Sequence, residues 1–184
     1  MSFLQDLKRR VIGLPKADRM NLPTEREINP EGNSYDGQKA VDHFLGKTQE
    51  QITRELATRL HWYFYEDFLW MGCRAFCFYF PAVADYVTTA EAKEEDQVVE
   101  NFCGVIESRL KCDFVEIREA FPAIVHFAEY VLTHFGDYGY EPEDEELRQR
   151  LRTIKQRCAV TAPNSGASAQ FGASGGPERP PSVS

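Results

Sequence analysis

What the chain lacks narrows the field first. It has no glycine-rich phosphate loop, so the mode in which consecutive backbone amides cradle a phosphate is not encoded. The triplet Gly46-Lys47-Thr48 ends like such a loop, but position 41, where the pattern needs glycine, is valine. The triplet reads instead as a helix stop followed by a helix start. Ser34, Ser108, Thr88 and Thr89 stand in no Gly-x-Ser-x-Gly context, and His126 and His134 lie eight apart without the His-Glu-x-x-His spacing of a helical zinc protease. His43 and His61 are isolated and read as helix-edge residues.

Positive charge is also short. Lys and Arg number 21 against 29 Asp and Glu, giving a formal charge of −8 and a pI near 5.1. Phosphate backbones are bound by cations that displace counterions, so nucleic acid is not an expected partner. The longest apolar run, residues 68–84, is interrupted by Arg74. A central arginine costs about 2.5–3.5 kcal/mol even on a lenient insertion scale, and no membrane span is expected. Five cysteines, at 73, 77, 103, 112 and 158, make an odd and scattered set, and no secretory pattern opens the chain. Reduced thiols in a cytoplasmic protein are the expectation.

What is present is apolar periodicity of helical type. With 184 residues, 42% hydrophobic, the chain can bury one contiguous core without disulfides or metal. Residues 34–46 carry Ala40, Val41, Phe44 and Leu45 and stop at Gly46. Thr48 followed by Gln51 is a capping-box pattern, with Ile52, Leu56 and Leu60 at four-residue spacing behind it. A helix over about 73–87 is expected to bend or restart at Pro81. Val98, Phe102, Val105, Ile106 and Leu110 share one face of the next helix. Pro122 either bends the following helix or starts a second, and a last helix begins near Glu141 with the stripe Leu147, Leu151, Ile154, Cys158. No segment alternates as a strand would. The expected class is therefore all-α: a single-domain helical bundle of about six helices over residues 34–160, a partly ordered N-terminal arm over 1–33, and a flexible Gly/Ser/Pro-rich tail over 161–184.

The segment HWYFYEDFLWMGCRAFCFYF, residues 61–80, holds ten of the 23 aromatic residues. Phe64, Phe68, Met71 and Ala75 follow helical spacing, as do Phe76, Tyr79, Val83 and Tyr86, so the block is expected to be core rather than a ligand box. Should it line a cleft, the catalytic candidates are His61, Glu66 and Asp67, and the ligand-binding candidates Tyr65, Trp70 and Arg74. Glu66 and Asp67 are adjacent and diverge by about 100° on a helix, so they form no ready carboxylate pair; the expectation is that one caps a helix or pairs with Arg74. Cys73 and Cys77 share a helix face and are the metal-ligand candidates, although the three-residue gap between them is not that of a zinc knuckle.

The blocks HFLGKT at 43–48, YEDFLWMG at 65–72 and AFCFYFPAVADYV at 75–87 resemble those of an uncharacterised family of bacterial hypothetical proteins. The chain departs from that pattern at Cys73, where the family pattern would have proline after the glycine. The resemblance implies that the block is a family hallmark and implies no activity, cofactor or catalytic residue.

The functional expectation is a non-catalytic protein, without a cofactor, that binds another protein. The acidic run EPEDEE, residues 141–146, suits a basic partner, as in an immunity or antitoxin-like role. The rival expectation is an enzyme or small-ligand binder with an aromatic-lined acidic cleft around residues 65–70.

Overall fold

The computed structural model describes residues 22–58, 64–95, 97–141 and 143–159. Among these, nine α-helices and two 3-10 turns form the fold, and there is no strand. The helices are Glu25–Ile28 (α1), Tyr35–Phe44 (α2), Gln49–Leu56 (α3), Phe64–Trp70 (α4), Cys73–Tyr86 (α5), Ala90–Lys93 (α6), Val98–Cys112 (α7), Phe121–Thr133 (α8) and Glu145–Ala159 (α9). The all-α expectation holds, but the count of six does not. The additional elements include α1 and α6, each four residues long, which is too short to display an apolar period.

Local chemistry explains most boundaries. The Ser34 hydroxyl accepts from the Gly37 amide at the start of α2, and Gly46, with φ of +75°, turns the chain beyond its end. The capping box of Thr48 and Gln51 opens α3. A single helix, α5, runs through Pro81 rather than restarting there. Gln49 Nε2 and Thr53 Oγ1 of α3 donate to the carbonyls of Phe78 and Ala82, on either side of the proline. Pro122 starts α8, directly after the 3-10 turn Arg118–Ala120, so the second of the two expectations at that residue is the correct one. The last helix starts at Glu145, later than the sequence suggested, because Asp144 first closes a turn by accepting from the Glu141 amide at 2.8 Å.

Helix α5 is the centre of the packing. It lies against α1, α3, α8 and the turn Arg118–Ala120, while α4 packs on α2 and α7, and α9 on α7 and α8. An element enclosed on several sides must be apolar on several sides. Accordingly Ala75, Phe76, Tyr79, Phe80, Ala82, Val83, Ala84 and Tyr86 are all buried. Phe64, Phe68 and Met71 join them, so the described residues at those helical spacings are core, as their spacing predicts, while Trp70 is half-exposed and residues 61–63 lie outside the described residues. The Phe68 ring meets those of Phe44, Phe76, Phe80 and Phe102 edge-on, with centroids 5.3–6.3 Å apart. The stripe of α9, Leu147, Leu151, Ile154 and Cys158, is likewise buried.

The described part of the N-terminal arm, residues 22–33, packs on the bundle. Ile28 is fully buried, and the Gly72 amide donates to the Glu27 carbonyl at 3.0 Å. Residues 1–21 of that arm and the tail at 161–184 lie outside the described residues. No helix among the described residues is long and apolar enough to cross a membrane.

Candidate functional site

The charged residues of the aromatic block go to different places. Asp67 sits on the inner face of α4 with 3% of its side chain exposed, and its Oδ2 lies 2.6 Å from His43 Nδ1 on α2. Burial pushes the Asp67 carboxyl above the ordinary carboxylate range, while the hydrogen bond and charge of His43 pull it back. Glu66 raises it further, and Lys39 opposes that. The His43 side chain remains 36% exposed, with its ring 5.0 Å from that of Phe64. Among the described residues Nε2 makes no hydrogen bond. A carboxylate at Nδ1 fixes the proton on that nitrogen and leaves Nε2 as the basic one.

The pairing proposed from sequence between Arg74 and the acidic pair is therefore corrected. Arg74 Nη1 is 3.0 Å from Glu27 Oε2 of α1, and Asp67 pairs with His43. Glu66 is half-buried and accepts from the Tyr65 hydroxyl at 3.4 Å. Trp70, the last residue of α4, turns outward and is 50% exposed. His61 lies outside the described residues. So the candidates Tyr65, Glu66, Asp67, Trp70 and Arg74 divide between core and surface.

Cys73 and Cys77 are half-buried on one face of α5, and the Cys77 thiol lies 3.8 Å from the Glu116 carbonyl. Burial raises both thiols, Cys77 to about 11, which keeps them protonated at neutral pH. Among the described residues no group of three or more His, Cys, Asp or Glu is placed to hold a metal ion.

Two features escaped the sequence reading. The first is Arg109 of α7, a buried cation whose guanidinium donates to the Phe68 carbonyl at 3.1 Å, to the Met71 carbonyl and to Asp113 at 2.6 Å. It also lies 5.0 Å over the Phe76 ring. It satisfies the end of α4 and so fixes where Trp70 leaves the surface. The second is a cleft of about 250 Å³ between α7 and α9, lined by Glu100, Tyr140, Asp144, Glu146, Leu147 and Arg150. Arg150 is held in a two-pronged pair by Glu107, its Nε and Nη2 each 2.9 Å from a carboxylate oxygen. With that cation matched, the carboxylates of Glu100, Asp144 and Glu146 leave the cleft negative. Burial raises the Tyr140 phenol, and the charge of Glu100 raises it further.

Compared with known proteins, the chain matches no family model, no curated protein and no solved structure at the significance required.

Proposed function

We propose that this protein works by binding a basic protein partner, and that the cleft between α7 and α9 receives an arginine or lysine side chain of that partner. The observation that supports this reading is the lining of the cleft: three carboxylates on its walls, the only cation among the six lining residues already paired with Glu107, and Leu147 and Tyr140 for the stem of a long side chain. Arginine and lysine bury their methylenes against apolar surface and keep their charge on polar groups. Exposed acidic residues at 141 and 143–146 continue the negative face beyond the cleft and would steer a cationic partner toward it.

The test is calorimetric titration with an arginine-containing basic peptide against two double variants. Glu100→Gln with Glu146→Gln removes cleft charge, and Glu25→Gln with Asp85→Gln removes the same charge from exposed positions elsewhere. The reading expects the first pair to weaken binding about tenfold and the second to change it little, since a lost charged contact is worth roughly 1.4 kcal/mol or more. Equal effects of the two pairs would mean attraction by net charge alone and would remove the cleft from the account.

A further inference from the structure

Among the described histidines, His43 has an environment of its own. His126 is exposed, and His134 stacks on Tyr130 at 4.1 Å between centroids with its Nδ1 2.9 Å from the Tyr130 carbonyl. Only His43 has Nδ1 against a buried carboxylate. The burial of Asp67 costs several kcal/mol unless it is answered by a partner. The partner supplied is an imidazole that keeps about a third of its surface in solvent. This arrangement holds Nδ1 against the carboxylate while the ring as a whole keeps contact with solvent.

We propose that His43 Nε2 is a nucleophile that accepts a phosphoryl group, with Asp67 holding the opposite ring nitrogen. In the transfer the donor is an N-phosphorylated amine protonated on nitrogen: the Nε2 lone pair attacks phosphorus, a new N–P bond forms, and the donor's P–N bond breaks to release the neutral amine. The leaving group departs with the bonding electrons. The proton already on Nδ1 stays there, the ring takes on positive charge, and the Asp67 carboxylate, 2.6 Å away, balances it. Lys39 precedes His43 by one helical turn, and its charge reaches the same carboxylate. Its ammonium lies 4.6 Å over the Tyr35 ring, one turn further toward the start of α2. Asp42 and Glu66 are the neighbouring anions, the first exposed and the second half-buried. An acceptor of this kind needs an oriented imidazole in contact with solvent and a donor with a good leaving group. The first of these is what α2 and α4 provide. The inference is independent of the cleft between α7 and α9.

The full chain is incubated with potassium phosphoramidate, whose leaving group is ammonia, and the product is followed by intact mass and by phosphorus NMR. The expected result is one acid-labile, base-stable phosphoryl group on His43, formed about tenfold faster than on the exposed His126, with Asp67→Asn slowing it about tenfold, the scale on which a carboxylate behind a histidine acts. His43→Gln should abolish the label and His126→Gln should leave it. The comparison of His43 with His126 is made within the wild-type chain and so needs no variant to fold. Labelling spread evenly over the histidines, preferential labelling at any position other than 43, or no label on His43 would overturn the proposal.

Discussion

The buried charges set the behaviour of individual residues. Asp67 has a folded-state pKa above its unfolded value, so its contribution is most favourable at low pH and is lost as pH rises from near 4 through the raised value. The wild type should therefore lose stability relative to Asp67→Asn as pH is raised, and urea titrations of both proteins at several pH values from 3.5 to about 6 would detect the opposite trend if it exists. Thiol reactivity separates the five cysteines in the same way, with the half-buried Cys73 raised by burial. Cys103 and Cys158 are buried, with thiols raised to about 12 and about 11, and Cys77 is raised to about 11. Cys112 is exposed. At pH 8 Ellman's reagent should give a single fast thiol, and Cys112→Ser should eliminate that phase; a persisting fast phase would place a reactive thiol elsewhere.

At the scale of elements, the contacts that fix helix positions join residues far apart in sequence. Gly72 is the clearest case. A Cβ there would lie 2.5 Å from the Glu27 carbonyl oxygen, a backbone atom that cannot swing aside. Gly72→Ala should cost roughly 1–3 kcal/mol by forcing α1 away from α5, read as a shift in the urea midpoint without a change in slope. Arg109→Met keeps most of the volume but removes the donors from the Phe68 and Met71 carbonyls and leaves Asp113 without its cation. Its expected cost is roughly 2–4 kcal/mol, and a value near zero would mean that packing, not donation, holds the end of α4.

The same distinction decides what the sequence disclosed. The period of Val98, Phe102, Val105, Ile106 and Leu110 and the capping box at Thr48 depend on neighbours within a few positions, and each was legible. The pairing of His43 with Asp67 spans 24 positions, and that of Arg109 with Phe68 spans 41. Neither residue is marked by its own surroundings in the chain. His43 reads as an ordinary helix-edge histidine and Arg109 as the basic end of an amphipathic helix. The sequence marks Glu66 and Asp67 as a pair of which one caps a helix or meets Arg74, but not that Asp67 meets His43, because tertiary distance is not encoded in neighbouring positions.

Taken whole, the described residues gather around α5, which touches elements from α1 near their start to α8. Nothing in that arrangement lets one half keep its core while the other melts. Urea unfolding followed by far-ultraviolet and near-ultraviolet circular dichroism should give coincident curves. Separated transitions would mean that α8 and α9 form a unit of their own. The charge of −8 acts at this scale as well, making encounter with any cationic partner sensitive to salt.

Trp70 stands half in solvent at a point that Arg109 anchors, while Val115, also exposed, leaves the surface just beyond Asp113, the carboxylate of the same guanidinium. The junction of α4 with the end of α7 therefore carries its own optical reporter. In a Trp62→Phe variant its indole emission and its quenching by acrylamide respond to anything that settles there, so occupancy of that side of the molecule can be followed without a label and apart from events in the acidic cleft.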